Sequence, residues 1–530
     1  MNTHAIAPQV SRRSFIQGAG ALGAAATAGA LATTTAHADE EQAWDNEAEI
    51  VVVGYGNSGA VAAICAADAG ARVIVLEKQP DDDGGDVWLH TPGGRLSYTA
   101  IMNFNDYDSA VEWYTAAMSE CGQLRADPEV IEAYSEYGDS VIDFIESIGG
   151  EPIDCGSSQT EYSLDVFPQG NNYEMWRFQG QGAEQWEVLE AAVQERDIEV
   201  MFSCPAQHLI TDATGTVIGV EAEQDGSPVR IKATKAVILS TGGFEGNDEM
   251  KSTYCFPPLY KCYNTRDNTG DGIRMAQELG CELTHMAAIE GRPVPYLDEY
   301  GFAIQGGTAN PFLIVDKYGK RFMNETWVSH TAIYEQMRFD TNLCDFSAIP
   351  CFSIMDSTSL ASGPIAKGGP LYSKIYTWSS DNMAEVEAGW ILKGDTLEEL
   401  AQKIAEEPEV GARMDPEVFA QTVAQYNEYA ADGVDPDFGR PENALLAVQT
   451  PPFYAMKLYP GSATTSGGPR RNGKCQILHV SGETIPHLYS TGEMGSILGG
   501  IATCGGLHVS EAYITGQIAA RWAVQEEPVA

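Results

Sequence analysis

The chain has 530 residues, 44% of them apolar, with 54 Gly and 26 Pro, the balance of a globular protein with a large core and room for more than one domain. Lys and Arg number 31 against 75 Asp and Glu, a formal net charge of −44. A surface that acidic repels polyphosphates and anionic headgroups, which excludes nucleic acid as a partner while leaving room for a small basic pocket inside the acidic shell.

Arg12-Arg13 stand ahead of a soft Ala/Gly run that closes on Ala36-His37-Ala38. Twin arginines, a weakly apolar stretch and an A-x-A site predict a Tat-type export signal over residues 1–38, cut after Ala38. The other reading is a flexible alanine-rich tail. That route carries folded, cofactor-loaded proteins, so the expected location is periplasmic or otherwise extracytoplasmic, soluble or peripherally attached. Beyond residue 38 no apolar run is long enough to span a bilayer. The 11 cysteines scatter from Cys65 to Cys504 with no C-x-x-C and no C-x-x-C-H. Neither a disulfide framework nor a metal, iron–sulfur or covalent haem site is expected, and the thiols read as small buried apolar groups.

The strongest local signal is "AEIVVVGYGNSGAVAAICAADAGARVIVLEKQ". It predicts a buried strand at Ile50–Val53, a Gly54-x-Gly56-x-x-Gly59 turn, a helix of small residues and a second strand from Arg72 to Leu76 that ends at Glu77. Gly54 permits the tight turn, Gly56 lets a pyrophosphate approach the backbone, and Gly59 allows close helix–strand packing. The phosphates would rest on the helix N-terminus beside Asn57 and Ser58, where free N–H groups favour negative charge. Glu77 stands where a carboxylate accepts ribose hydroxyls, with Lys78 beside it. With strand, helix, strand and acid all in place, the segment predicts dinucleotide binding.

Further glycine clusters follow in order. They are "DDDGGDVWLHTPGGR" with Gly85, Gly93 and Gly94, "KAVILSTGGFEGN" with Thr241, Gly242 and Gly243, and "NTGDGIRMAQELGCEL" with Asp271 and Gly272. "HLYSTGEMGS" with Glu493 and "TCGGLHVSEAY" with Gly506 and Leu507 complete the series. Any one alone is a glycine turn. Together, in this order, they resemble the FAD-binding family of soluble fumarate reductases, urocanate reductases, 3-ketosteroid dehydrogenases and cardiac glycoside reductases. The resemblance covers nearly all of the chain after residue 38, although Asp86 replaces the family's asparagine. It implies FAD as cofactor and an α/β fold. A Rossmann-like FAD-binding domain would be split over residues 39–285 and 455–530, around an inserted α+β capping domain at 286–454. Glu493 would hold ribityl or ribose hydroxyls, and the helix after Gly506 would aim its N-terminus at the pyrimidine edge of the flavin. No flavin-mononucleotide or multihaem domain is attached, which implies a separate electron donor: a cytochrome, a quinol-linked protein or another flavoprotein.

The departures from the family are as informative. Two residues before Gly505-Gly506 the family carries an arginine, and this chain has Thr503 followed by Cys504. Four residues after the family acid, Glu325, fumarate reductases carry arginine and ketosteroid dehydrogenases tyrosine, whereas here stands Ser329. The protonating arginine aligns with Ser359, and two substrate-binding histidines align with Thr464 and Arg292. A pocket altered in this way does not hold two carboxylates, so fumarate is not the expected substrate. Arg292 would either pair with a single carboxylate or form a structural salt bridge. Cys504 either lines the pocket or is simply small.

What the resemblance still implies is hydride exchange at flavin N5, with a protein acid protonating the other carbon of an activated C=C bond. His330, Tyr334 and Arg338, spaced at four residues on one expected helix face, are the candidates alongside Glu325. Each has a packing or capping role as its alternative. Tyr372, Tyr376 and Trp378 suit either a flat apolar substrate or an ordinary core. "DTLEELAQKIAEE" and "DPEVFAQTVAQYNEYAADG" predict amphipathic helices capped by aspartate. The expected function is reduction of an enone or acrylate-like small molecule. The alternatives are a ketosteroid-type dehydrogenase and a non-catalytic flavin electron carrier.

Overall fold

In the computed structural model the described residues are 43–81, 100–119, 127–156, 173–257, 261–262, 267–297, 302–303, 312–327, 331–366, 376, 378–497 and 506–529. The expected export signal, Gly85, Asp86, Gly93, Gly94, Ser329, His330, Tyr372, Thr503 and Cys504 lie outside them.

The elements that build the site begin with strand β1 (Asn46–Val53), helix α1 (Asn57–Asp68), strands β2 (Val73–Leu76), β3 (Glu199–Met201) and β4 (Ser227–Leu239), and helix α2 (Asp271–Glu278). Strands β5 (Ile289–Val294), β6 (Leu313–Asp316), β7 (Cys351–Asp356) and β8 (Ile391–Gly394) follow. The last are β9 (Phe453–Thr465), β10 (Thr484–Ser490) and helix α3 (Leu507–Ala523).

One sheet is a parallel core in the order β10–β4–β1–β2–β3, extended by antiparallel strands at Gln476–Leu478 and along β4. The Val/Ile run of β1 is fully enclosed because helices cover the sheet, so the strand reads as continuous rather than alternating hydrophobicity. Parallel pairing puts the carboxyl ends of β1, β2, β4 and β10 on one edge. Gly54, Glu77, Thr241 and Glu493 all emerge there, the edge at which such sheets bind ligands. Helix α1 packs close because its residues are small. A Cβ on Gly59 would collide with the Gly54 carbonyl oxygen, and one on Gly516 would lie 2.8 Å from Val61 Cγ1.

The second sheet is hung on β9. Its first half pairs with β7 and β8 and its second half with β5, while β6 extends the sheet beyond β7. At its end Thr465 reaches the first sheet, where Oγ1 accepts from Phe244 N at 2.7 Å and donates to Glu245 Oε2 at 3.1 Å. β9 runs straight through the boundary expected between residues 454 and 455. Among the described residues no helix is long and apolar enough to cross a membrane.

After β6 the chain turns over Asp316, which accepts from Tyr318 N and Lys320 N at 2.9 Å. Two local expectations change. The first amphipathic helix is capped by Thr396, not Asp395, with Glu399 reaching back to the Asp395 N–H at 2.9 Å; the second is capped by Asp415 as expected. The helix bearing Tyr334 is short, Ala332–Gln336, so Arg338 falls beyond its end.

Gly59→Ala is therefore expected to cost about 1–3 kcal/mol through overpacking and to release the cofactor. Thermal denaturation and the visible flavin spectrum read the two effects separately.

Candidate active site

The cradle at the carboxyl edge starts with Gly54, whose φ of +101° is open only to glycine without strain. Helix α1 follows with no side-chain cap and no acid in its first turn, so its N–H groups are left for an anion. Asn57 Oδ1 is buried without a hydrogen-bond partner. Glu77 accepts from Tyr55 N and Gln79 N, each at 2.8 Å, yet burial still raises its pKa. Lys78 bonds Thr269 Oγ1 at 2.9 Å, Asp271 Oδ2 at 2.8 Å and the Asp267 carbonyl, which fixes α2 against the end of β2. Thr241 Oγ1 receives the Gly272 N–H at 3.2 Å. Gly242 is left-handed, and a Cβ on Gly243 would strike Thr465 Oγ1. For Glu493, just past β10, no hydrogen bond to the carboxyl is found among the described residues. Burial, then the charge of Glu245, push its carboxyl well above the usual range. Open helix N–H groups, an orphaned amide oxygen and the Glu493 carboxyl fit a dinucleotide's phosphates and hydroxyls.

Beside the cradle lies a buried ionic network that the sequence reading missed. Helix α3 starts at Gly506, left-handed at φ +92°, and its first turn carries His508. The imidazole meets Glu290 of β5 through Nε2 and Glu511 Oε2 through Nδ1 at 3.4 Å. Glu511 Oε1 also receives Arg471 Nη2 at 2.8 Å and Ile497 N at 3.1 Å, while Oε2 accepts from Ser496 Oγ at 2.7 Å. Arg471 donates further to Tyr134 Oη at 2.7 Å and to the carbonyls of Gly492 and Met494. Burial alone would lower the His508 pKa, but the charge and hydrogen bond of Glu290, then Glu511, hold it well above the ordinary value. The Glu511 carboxyl, which burial would raise, is drawn down by His508 and Arg471. The signal was there to read: a histidine and an acid three residues apart in an otherwise small and apolar helix.

Of the expected catalytic groups, Glu325, Tyr334 and Arg338 lie among the described residues, and each is placed separately. Glu325 is gripped by Arg321 (2.9 and 2.8 Å) and Arg440 (3.1 Å), and Arg321 also holds Asp435. That makes Glu325 an anchor of the turn after β6. The Tyr334 hydroxyl donates to the Ile289 carbonyl at 2.9 Å and accepts from the Ile289 N–H at 3.2 Å, and burial pushes its pKa up to about 12. Arg338 is exposed. The common face expected for Tyr334 and Arg338 is not formed, because the helix stops at Gln336. Ser359 is buried and its N–H bonds Asp356 in a short helix start. Tyr376 and Trp378 pack with Trp390 in a core cluster. On the β5–β9 pair, Arg292 lies opposite Gly461 and Thr464 opposite Glu290, with Thr464 Oγ1 buried and lacking a hydrogen-bond partner.

A parallel sheet whose carboxyl edge carries this cradle is the fold of a dinucleotide-binding flavoprotein. The chain belongs to the FAD binding domain family, whose profile matches residues 49–509; its cofactor is FAD, and it is an FAD-dependent oxidoreductase. It is 25% identical over 475 aligned positions to a probable fumarate reductase, Ifc3, of Shewanella frigidimarina, covering 89% of this chain and 74% of that one. It is 27% identical over 580 aligned positions to digoxin reductase of Eggerthella lenta, covering 98% of each. In fold it is similar to the solved 3-ketosteroid delta1-dehydrogenase of Sterolibacterium denitrificans, with a TM-score of 0.74 at 21% identity over 90% of this chain and 99% of that one.

Arg471→Met leaves Glu511 and its neighbours with an unmatched buried charge and is expected to lose about 3–5 kcal/mol of stability in urea denaturation. His508 gives a pH signature. Its folded pKa is raised, so its contribution is complete below the ordinary value of 6.5 and is lost as pH rises through the folded value. The stability gap between the native protein and His508→Gln should be flat below neutrality and narrow on the alkaline side. A gap that widens with pH overturns this assignment.

Proposed function

We propose that the protein reduces the C=C bond of a small, carbonyl-activated alkene, an enone or acrylate-like compound, and that it does not reduce fumarate. The observation that supports this most is the dinucleotide cradle beside a strand pair, β5–β9, where Thr464 and Arg292 replace the histidines of the family's diacid site. The fumarate and digoxin reductases among its relatives are consistent with alkene reduction. Bound FAD supplies the hydride at N5. The first N–H groups of α3, with no acid in the first turn, would be the donors able to stabilise negative charge on a reduced flavin. With Tyr334 tied to Ile289, Arg338 exposed and Glu325 held by two guanidinium groups, we assign the proton donor to His330.

Electrons come from a separate donor, and residues 1–38 direct export with the cofactor already in place. The expected division into a split FAD domain and a cap at residues 286–454 belongs to the same reading, with the β5–β9 pair as the wall that faces the substrate. Fusion of residues 1–38 to a reporter, with Arg12 and Arg13 changed to Lys, tests the export step.

The reaction is tested anaerobically. Reduced protein should be reoxidised by enones or acrylate derivatives and not by fumarate, and His330→Gln should slow the step by about 10²–10⁴-fold. Reduction of the oxidised protein by a ketosteroid, with no alkene able to reoxidise it, would reverse the direction. Rapid turnover of fumarate would end the proposal.

A further inference from the structure

Glu290 occupies a position that governs the charge of the proposed substrate wall. It is 4% exposed, sits on β5 opposite Thr464 and precedes Arg292 by two residues. Its charge is felt at both Glu493 and Tyr334. Its carboxylate meets His508 Nε2.

The two cations of the buried network, His508 and Arg471, are already matched. His508 is taken by Glu290 and Glu511, and Arg471 by Glu511, Tyr134 and backbone carbonyls. A substrate carboxylate arriving at His508 would have to displace Glu290, or lie beside it as a like charge in a largely buried place. Either route leaves one anion without a counter-ion, the costly case for a buried charge. A neutral ester, amide or ketone oxygen carries no such penalty.

We propose that Glu290, by neutralising His508, excludes substrates bearing a free carboxylate and confines the site to uncharged carbonyl-activated alkenes. This rests on the reductase reading above and narrows it, because it removes free acrylates from the substrate class and keeps enones, esters and amides. The discrimination is built in by an occupied cation rather than by added contacts to the favoured ligand.

The test is equilibrium binding to the oxidised holoprotein, followed by perturbation of the visible flavin spectrum, with cinnamate and methyl cinnamate as probes. The native protein should bind the ester at least about tenfold more tightly than the acid. Glu290→Gln should gain at least about tenfold in affinity for the acid, and the Glu290→Gln/His508→Gln double variant should lose that gain. Equal binding of acid and ester by the native protein overturns the inference, and so does a folded Glu290→Gln protein that gains nothing. If Glu290→Gln does not fold, the ester-to-acid ratio of the native protein decides alone. The two readings fail separately. Esters that reoxidise the reduced flavin while acid and ester bind alike remove only the role of Glu290. If neither esters nor enones bind or reoxidise the flavin, the reductase reading falls and the inference falls with it.

Discussion

Arg471 is the charge around which the site is arranged. Only 4% exposed, its guanidinium must find every partner inside the protein, and it draws them from Tyr134, from Glu511 of α3 and from the turn after β10. Those bonds fix the carbonyls of Gly492 and Met494, and with them the course of the turn that carries Glu493. The same guanidinium takes one oxygen of Glu511 and leaves the other for His508 and Ser496. The course of the turn bearing Glu493 and the pairing of His508 at the start of α3 are thus two results of one buried cation. Desolvation makes the arrangement rigid, since any shift that opens a bond exposes an unmatched charge.

How much of this was legible in the sequence depended on the distance between partners. The glycine turn at Gly54, Gly56 and Gly59, the helix after it and the acid Glu77 are fixed by local spacing, and they are where they were expected. Helix starts were nearly as clear. The exception was Thr396, where aspartate and threonine stand side by side and only the glutamate three residues on, Glu399, decides between them. The common face expected for Tyr334 and Arg338 does not form, for a different reason. Spacing of four residues makes a common face only where the helix lasts, and this one ends at Gln336 between Tyr334 and Arg338. The Glu290–His508 contact joins residues 218 positions apart, and no local pattern announces it. The His508–Glu511 spacing could be read locally, but the partner on β5 is set beside it only by the fold.

The substrate wall and the cofactor edge differ in how they treat charge. At the edge, acceptors and N–H groups are left open, as at Asn57, Glu493 and the start of α1. At the wall the charges meet one another first. Glu290 with His508, and farther out Glu325 with Arg321 and Arg440, are closed pairs. The open groups suit a polar, multiply charged cofactor, and the closed ones suit a ligand that brings little charge of its own.

β9 carries a consequence for how the chain can be divided. One unbroken strand pairs with β7 and β8, then with β5, and hands Thr465 to the backbone of Phe244 just beyond β4. A cut ahead of Phe453 removes the spine of the second sheet together with the Thr465 clasp on Glu245, and a cut after Thr465 takes β10 away from the first sheet. Neither fragment keeps a complete edge. Separately expressed halves would therefore have to meet as a split protein does, by one of them donating the missing strand to the other.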